Sequence, residues 1–189
     1  MFVASACEMS AVMLTVAAPL VKTIGAPADI ALIQADAEDP TSLKAMIDQT
    51  ASVLSTVGPY QLYGSELVAA CATSGIDYFD LCGEPAWMRG MIDAHQFTAQ
   101  STGARIVFSC GFDSLPFELG VLFCQETAKT VLGTPVNRVK CRVRAMKGTV
   151  SGGTVASAKA TFLAAARDLR LAALLKNPFS LTPGFEGPR

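Results

Sequence analysis

The sequence predicts an α/β fold: a partial parallel sheet, followed by the start of a second domain of the α+β class. Two observations lead to this prediction. From residue 30 onward, short apolar segments alternate with segments of helical periodicity, which is typical of successive βαβ units. Near residue 134 this alternation stops, and a segment begins in which basic and apolar residues alternate. We therefore predict one incomplete domain over residues 1–133 and the beginning of another over residues 134–189.

Four short apolar segments carry the strand signal of the first domain: IALIQAD at 30–36, SVLSTVG at 52–58, IDYFDLCG at 76–83 and ARIVFSCG at 104–111. Helix signals follow them; after the first segment, Asp39 is a fitting N-cap and Pro40 takes the first helical position. Helical crossovers make such strands parallel, so we expect helices on both faces of the sheet. Ligands of these sheets bind beyond the carboxyl ends of the strands. Those ends are Asp36 and residues 58–60, 80–84 and 110–114.

The second domain begins with NRVKCRVRAMKG at 137–148, which predicts a half-exposed strand of an antiparallel sheet. Its basic residues share one face: Arg138, Lys140, Arg142 and Arg144. After the segment SGGT, an Ala- and Leu-rich stretch at 155–176 predicts one long helix, which Asn177 and Pro178 would end.

Composition excludes several classes of protein. With 51% hydrophobic and 16% charged residues among 189, the chain is long enough to bury a core and is not disordered. The six cysteines include no CxxC pair and accompany a single histidine, so neither a zinc cluster nor a disulfide framework is indicated. We expect a reducing, cytoplasmic location. The apolar stretch from Met9 to Val21 is too short for a membrane span and lacks the basic residues that begin a secretory signal.

Charge is distributed unevenly along the chain. Residues 1–100 carry 11 acidic and 3 basic side chains, a net charge of −8, whereas residues 101–189 carry 5 acidic and 12 basic side chains, a net charge of +7. This asymmetry predicts either an acidic ligand or partner on the second half, or two complementary faces that pack together.

Candidate site residues lie at the predicted strand ends, and each also has a purely structural interpretation. Gly58 would let a ligand approach the backbone closely, or it belongs to a simple loop. Asp80 and Glu84 could bind a cation or transfer a proton, whereas Glu84 could equally favour the positive end of its own helix. Asp36 could accept a hydrogen bond from an adenine amino group, or it is a turn residue.

Two further segments and three further residues have the same two interpretations. CGFDSLP at 110–116 and SGGT at 151–154 offer backbone N–H groups at a helix N-terminus to an anion, or they are ordinary caps. Cys82 and Cys110 at strand ends are reactive thiols or simple lining residues. We predict a structural role for His95, which shares a helix face with apolar residues.

Four motifs follow one another in a fixed order: VGPY at 57–60, YFDLCGE at 78–84, GFDSLP at 111–116 and SGGT at 151–154. Together they resemble the saccharopine dehydrogenase-like oxidoreductase family, and within it the branch of trans-acting enoyl reductases. The resemblance covers residues 30 to 183. It implies a Rossmann domain that binds NADPH, joined to an α+β domain that covers the crevice. It also implies reduction of an activated double bond in a lipid chain that a polyketide synthase has built.

The resemblance also implies roles for individual residues. The adenine would lie against Asp36 and Ala37, and the nicotinamide would lie beside Val57, Gly58, Pro59 and Tyr60. The reaction crevice would be lined by Asp80, Gly83, Glu84, Phe112, Asp113 and Ser114. No spacing selects the proton donor, for which the candidates are Tyr60, Tyr63, Asp80 and Glu84.

Partners follow from the same resemblance. The substrate would be a lipid intermediate carried on an acyl carrier protein, whose acidic surface would suit the basic face at 138–144. A solvated sheet face would suit the same residues. We expect no nucleic-acid partner, allow for a homo-oligomer, and place the protein in the cytoplasm or at the periphery of a membrane-associated synthase complex.

The chain also departs from the family pattern. Family members begin with a strand and a glycine-rich turn that receives the pyrophosphate, whereas residues 1–30 contain one glycine, Gly25, and no GxxGxxG. The family's second domain continues beyond Arg189, so we expect a chain truncated at both ends. Two functions stay open: an NADPH-dependent reductase, or a catalytically inactive relative that serves as a binding or scaffold module or is a gene fragment. Reduction of a saccharopine-like imine is less favoured.

Overall fold

The computed structural model describes residues 3–5, 23, 25, 31–149, 151–182 and 184–185. Within them lie five strands: β1 (Val3–Ser5), β2 (Gln34–Asp36), β3 (Ser52–Ser55), β4 (Asp77–Asp80) and β5 (Ile106–Val107). The same part of the chain contains seven helices: α1 (Pro40–Ile47), α2 (Tyr60–Tyr63), α3 (Ser65–Ser74), α4 (Pro85–Thr102), α5 (Leu115–Leu132), α6 (Gly152–Arg167) and α7 (Leu169–Lys176). The predicted α/β class is confirmed.

The described strands pair in parallel and form two sheets. β3, β4 and β5 lie side by side in chain order, and this three-stranded sheet with its connecting helices is consistent with a partial Rossmann-type arrangement. β1 pairs with β2, so that Val3 lies beside Gln34. The sequence pattern does not predict β1, and the apolar stretch Met9–Val21 lies outside the described residues.

Capping residues set the limits of three helices, and at α1 they are the residues that the sequence predicts. The side chain of Asp39 accepts a hydrogen bond from the Thr41 N–H at 2.9 Å, and Pro40 occupies the first position of α1. Gly75 and Gly103 end α3 and α4 in the left-handed conformation, with φ of 71° and 83°.

One core cluster holds the helices and the sheet together. Val53 of β3 and Tyr78 of β4 contribute from the sheet. Apolar side chains of α1, α3 and α4 surround them: Leu43, Met46, Ile47, Leu67, Val68, Cys71, Trp87 and Met88. Burial of this apolar surface supplies the main favourable contribution to folding, and it fixes where β3, β4 and their carboxyl ends lie.

The opposite face of the three-stranded sheet carries a row of apolar side chains. Leu54, Phe79 and Val107 occupy one row across β3, β4 and β5. Leu54 is 65% exposed and Val107 is 42% exposed, so the described residues leave this row largely open. Periodicity shows that a segment is a helix, whereas it does not show on which side of the sheet the helix packs.

Two segments of the predicted second domain also differ from their predictions. Residues 138–147 have no regular secondary structure, and those from 140 onward are exposed. A strand needs a neighbour for its backbone hydrogen bonds, and none of the described strands pairs with this segment. The single helix predicted over 155–176 is two helices, α6 and α7, because Asp168 is extended and its carboxylate accepts the Arg170 N–H at 2.8 Å as a new N-cap.

Among the described helices, none combines the length and apolarity that crossing a membrane requires.

Candidate functional site at the carboxyl ends of the strands

A crevice of about 470 Å³ lies beyond the carboxyl ends of β3 and β4. The turns that follow these strands form one wall, and the first turns of α6 form the other. Its lining residues from the sheet side are Thr56, Gly58, Tyr60, Leu81, Gly83 and Asp113. Its lining residues from the segment at 151–162 are Ser151, Gly153, Thr154, Ser157, Ala158, Thr161 and Phe162. The crevice therefore combines small residues, hydroxyl groups and a few apolar side chains.

Glu84 is the residue that fixes the turn after β3. Its side chain is 2% exposed, and its two carboxyl oxygens accept the backbone N–H groups of Tyr60 and Gln61, each at 2.9 Å. These N–H groups belong to the first turn of α2, where no partner within the helix is available. Glu84 is the N-cap residue of α4, but its side chain makes no capping bond there. It caps α2 instead, and so joins the turn after β4 to the turn after β3.

Asp80 has a similar role at the end of β4, where it is fully buried. One carboxyl oxygen accepts the N–H groups of Cys82 and Ser109, both at 2.9 Å, and the other accepts the Tyr78 hydroxyl at 3.0 Å. Ser109 has a φ of 59°, a left-handed conformation that serine rarely adopts, and the bond to Asp80 supports it. Burial raises the pKa of Asp80, whereas its hydrogen bonds oppose this rise.

Tyr60 presents its ring to the crevice and its hydroxyl to the protein. The hydroxyl donates to the Ser55 carbonyl at 3.1 Å and accepts the Leu81 N–H at 3.3 Å. Burial raises the pKa of Tyr60 to about 12, which makes its hydroxyl a weaker acid. The polar atoms of Tyr60, Asp80 and Glu84 are thus engaged with protein groups that hold the strand ends in place.

Gly58 lies where the two walls of the crevice meet, and the Gly58–Pro59 peptide bond is cis. A Cβ atom at this position would lie 3.5 Å from Cε2 of Tyr60 and 3.7 Å from Oγ of Ser157. These are ordinary contact distances, so alanine would fit. Its methyl group, however, would occupy the space between the sheet-side wall and α6, which the glycine leaves open to a ligand.

The α6 wall contains residues that sequence reasoning missed. Ser151 caps α6 by accepting the Thr154 N–H at 3.2 Å, which agrees with the cap interpretation of SGGT. Beyond this motif, the crevice is also lined by Ala158, Thr161 and Phe162. Their spacing from Thr154, at four, seven and eight residues, places them on one helix face. This spacing of small and polar residues is the signal that could have identified them.

Other predicted residues lie elsewhere. Asp36 ends β2 in the other sheet, where its carboxylate accepts the Glu38 N–H at 2.9 Å, and Ala37 beside it is buried. Neither is among the described residues that line the crevice, and the same holds for Val57, Pro59, Phe112 and Ser114. His95 lines a separate cavity with Met91 and Ile92.

The cysteines differ in burial, which gives a first testable prediction. Burial raises the pKa of the Cys71 thiol to about 12 and also raises that of Cys82, whereas Cys124 and Cys141 are exposed. At about pH 8 the two buried thiols stay protonated and shielded, and a thiol must be ionised to react. Iodoacetamide should therefore modify Cys124 and Cys141 in the native protein, and Cys71 and Cys82 only after denaturation. Peptide mass spectrometry measures this, and equal native labelling of Cys82 and Cys124 would contradict it.

Sequence comparison shows which proteins this chain is similar to. Over 152 residues the chain is 43% identical to a protein of Mycobacterium tuberculosis named "Putative trans-acting enoyl reductase". It is 41% identical over 155 residues to a trans-acting enoyl reductase of Mycobacterium leprae, and 40% identical over 156 residues to one of Mycobacterium bovis. The chain is similar to trans-acting enoyl reductases.

The similarity to these reductases covers 80–82% of the chain but only 36–37% of the length of each relative. The chain thus spans little more than a third of the proteins that it resembles. No family model matches it, and no solved structure matches it.

Proposed function

We propose that this chain is part of an NADPH-dependent oxidoreductase of the saccharopine dehydrogenase-like type, and that this oxidoreductase is a trans-acting enoyl reductase. The chain would supply the crevice at the carboxyl ends of the parallel strands. The observation that carries the proposal is the crevice at the carboxyl ends of parallel strands, which Gly58 leaves open, in a chain similar to such reductases. The substrate would be an activated double bond in a polyketide-derived lipid intermediate. When bound, NADPH would supply the hydride.

The residues present fit such a cofactor at Gly58, where a single Cβ atom would fill the opening between Tyr60 and Ser157. We assign Val57, Gly58, Pro59 and Tyr60 to the nicotinamide side, and Asp36 and Ala37 to the adenine. The reaction crevice would be bounded by Gly83, Asp113 and the α6 wall. We assign Asp80, Glu84 and the Tyr60 hydroxyl to holding these turns in place, because their polar atoms are bonded to protein groups.

A carrier-bound substrate would also need a surface for its carrier. The segment with Arg138, Lys140, Arg142 and Arg144 is exposed, and its charge suits an acidic acyl carrier protein. A second candidate function, a non-catalytic binding module, is favoured by the open apolar row on the sheet, in which Leu54 is 65% exposed.

Titration of NADPH into the purified chain, followed by nicotinamide fluorescence, tests the proposal. We expect saturable binding, and we expect the Gly58→Ala variant to bind about tenfold more weakly because its methyl group blocks the opening. The melting temperature of this variant should stay close to that of the parent chain, since the added Cβ meets ordinary contact distances.

The matched control is Gly90→Ala, at an exposed glycine of α4 with open space around it, and it should leave NADPH affinity unchanged. A chain that unfolds cooperatively but binds no NADPH would overturn the reductase proposal in favour of the binding module.

A further inference from the structure

A second cavity, of about 190 Å³, lies next to the crevice. The first turn of α4 contributes Ala86 and Trp87, and α7 contributes Leu171 and Leu175, which are one helical turn apart. α6 closes it with Ala164 and Thr161. Thr161 also lines the crevice, so the two spaces share a wall.

The polar groups around this cavity are engaged with one another. Gln61 donates from Nε2 to Oγ1 of Thr161, the residue that lines both spaces, at 3.2 Å. Glu84 directs its carboxyl oxygens to the backbone of Tyr60 and Gln61, and the Trp87 Nε1–H donates to Ser65 at 3.0 Å. What remains for an occupant is the aliphatic and aromatic surface, which favours a hydrocarbon over a polar group.

We propose that this second cavity is a subsite for the alkyl chain of an acyl substrate whose reacting end lies in the crevice. The inference rests on the proposed function for the identity of the substrate. Its physical basis is separate: an apolar cavity lined by Trp87, Leu171 and Leu175 that adjoins a crevice rich in hydroxyl groups. An alkyl chain that passes Thr161 would bury its methylene groups away from water, while the polar end of the substrate would stay beside Ser157 and Thr154.

Trp87 provides a direct measurement, because it is the only tryptophan in the sequence and it lines the cavity. The probes are acyl thioesters of N-acetylcysteamine of increasing chain length, each with a bromine at the end of the chain, which quenches indole fluorescence on contact. We expect short chains to leave Trp87 fluorescence unchanged and longer chains to quench it saturably. Affinity should rise roughly fourfold for each added methylene until the cavity is full.

The Ala164→Leu variant should abolish the quenching, because the larger side chain fills the cavity. The Ala166→Leu variant is the matched control, since Ala166 is exposed on the same helix. The probes should quench its Trp87 fluorescence as they do in the parent chain. Thermal melting of both variants checks that they fold.

The two proposals fail separately in this experiment. NADPH binding without chain-length-dependent quenching in the parent chain would overturn the alkyl subsite and leave the reductase proposal standing. Quenching that Ala164→Leu leaves intact would also overturn the subsite. Quenching that Ala164→Leu abolishes, in a chain that binds no NADPH, would support the subsite and overturn the reductase proposal.

Discussion

Replacing Glu84 with alanine should lower the free energy of unfolding by about 3 kcal/mol. Two backbone N–H groups at the start of α2, those of Tyr60 and Gln61, would lose their acceptors at a site where Glu84 itself is 2% exposed. Water would reach these groups poorly, so the cost of leaving them unpaired would add to that of the cavity left by the side chain. Urea denaturation followed by far-UV circular dichroism measures the difference.

Two further glutamate variants separate hydrogen bonding from packing. The Glu84→Gln variant keeps the shape of the side chain but replaces one carboxyl oxygen, which accepts a hydrogen bond, with an amide NH₂ group. Because this NH₂ group would face a backbone N–H group, we expect the free energy of unfolding to fall by about 2 kcal/mol. Glu66→Gln changes an exposed glutamate of α3, and the free energy of unfolding of this variant should stay within about 0.5 kcal/mol of that of the parent chain. A Glu84→Gln variant as stable as the parent chain would show that the two backbone bonds contribute little.

The role of Glu84 illustrates how far the sequence could predict this site. The apolar segments predicted β3 and β4, and the carboxyl ends of these two strands lie together because parallel strands connected by helices bring them to one edge. The same pattern grouped Gly58 and Gly83, which do line one crevice. It could not show which acceptor each unpaired N–H group would find. Glu84 lies more than 20 residues from the helix that it caps, and only the folded chain brings the two together.

The predicted second domain shows the complementary difficulty. Alternating residues at 138–144 satisfy the local pattern of a strand, but a strand exists only through its neighbours, and the described strands leave this segment unpaired. The stretch 155–176 satisfies the local pattern of one helix. Asp168 is the residue that divides this stretch, because the short side chain of an aspartate can cap a new helix as readily as the residue can lie within a continuous one. Sequence periodicity does not distinguish these two outcomes.

Replacing Gly64 with alanine should lower the free energy of unfolding by roughly 2–3 kcal/mol, because the position has no room for a side chain. Gly64 joins α2 to α3, and an added Cβ would lie 2.7 Å from Cζ2 of Trp87 and 2.9 Å from the carbonyl oxygen of Tyr60. The backbone itself accepts alanine, with φ of −91° and ψ of −23°. The cost therefore arises from the contacts alone.

Trp87 cannot move aside cheaply to relieve these contacts. Its ring packs against Tyr60 and Phe108 at centroid distances of 5.6 and 5.4 Å, and its Nε1–H is bonded to Ser65. Gly90→Ala and Gly120→Ala are the matched controls, at helix positions where an added Cβ meets open space, and each should raise stability by about 0.5–1 kcal/mol. Urea denaturation of the three variants measures this contrast. A Gly64→Ala variant that gains stability as the two controls do would mean that Trp87 is free to move, and the second cavity, which Trp87 lines, would then lack a fixed wall.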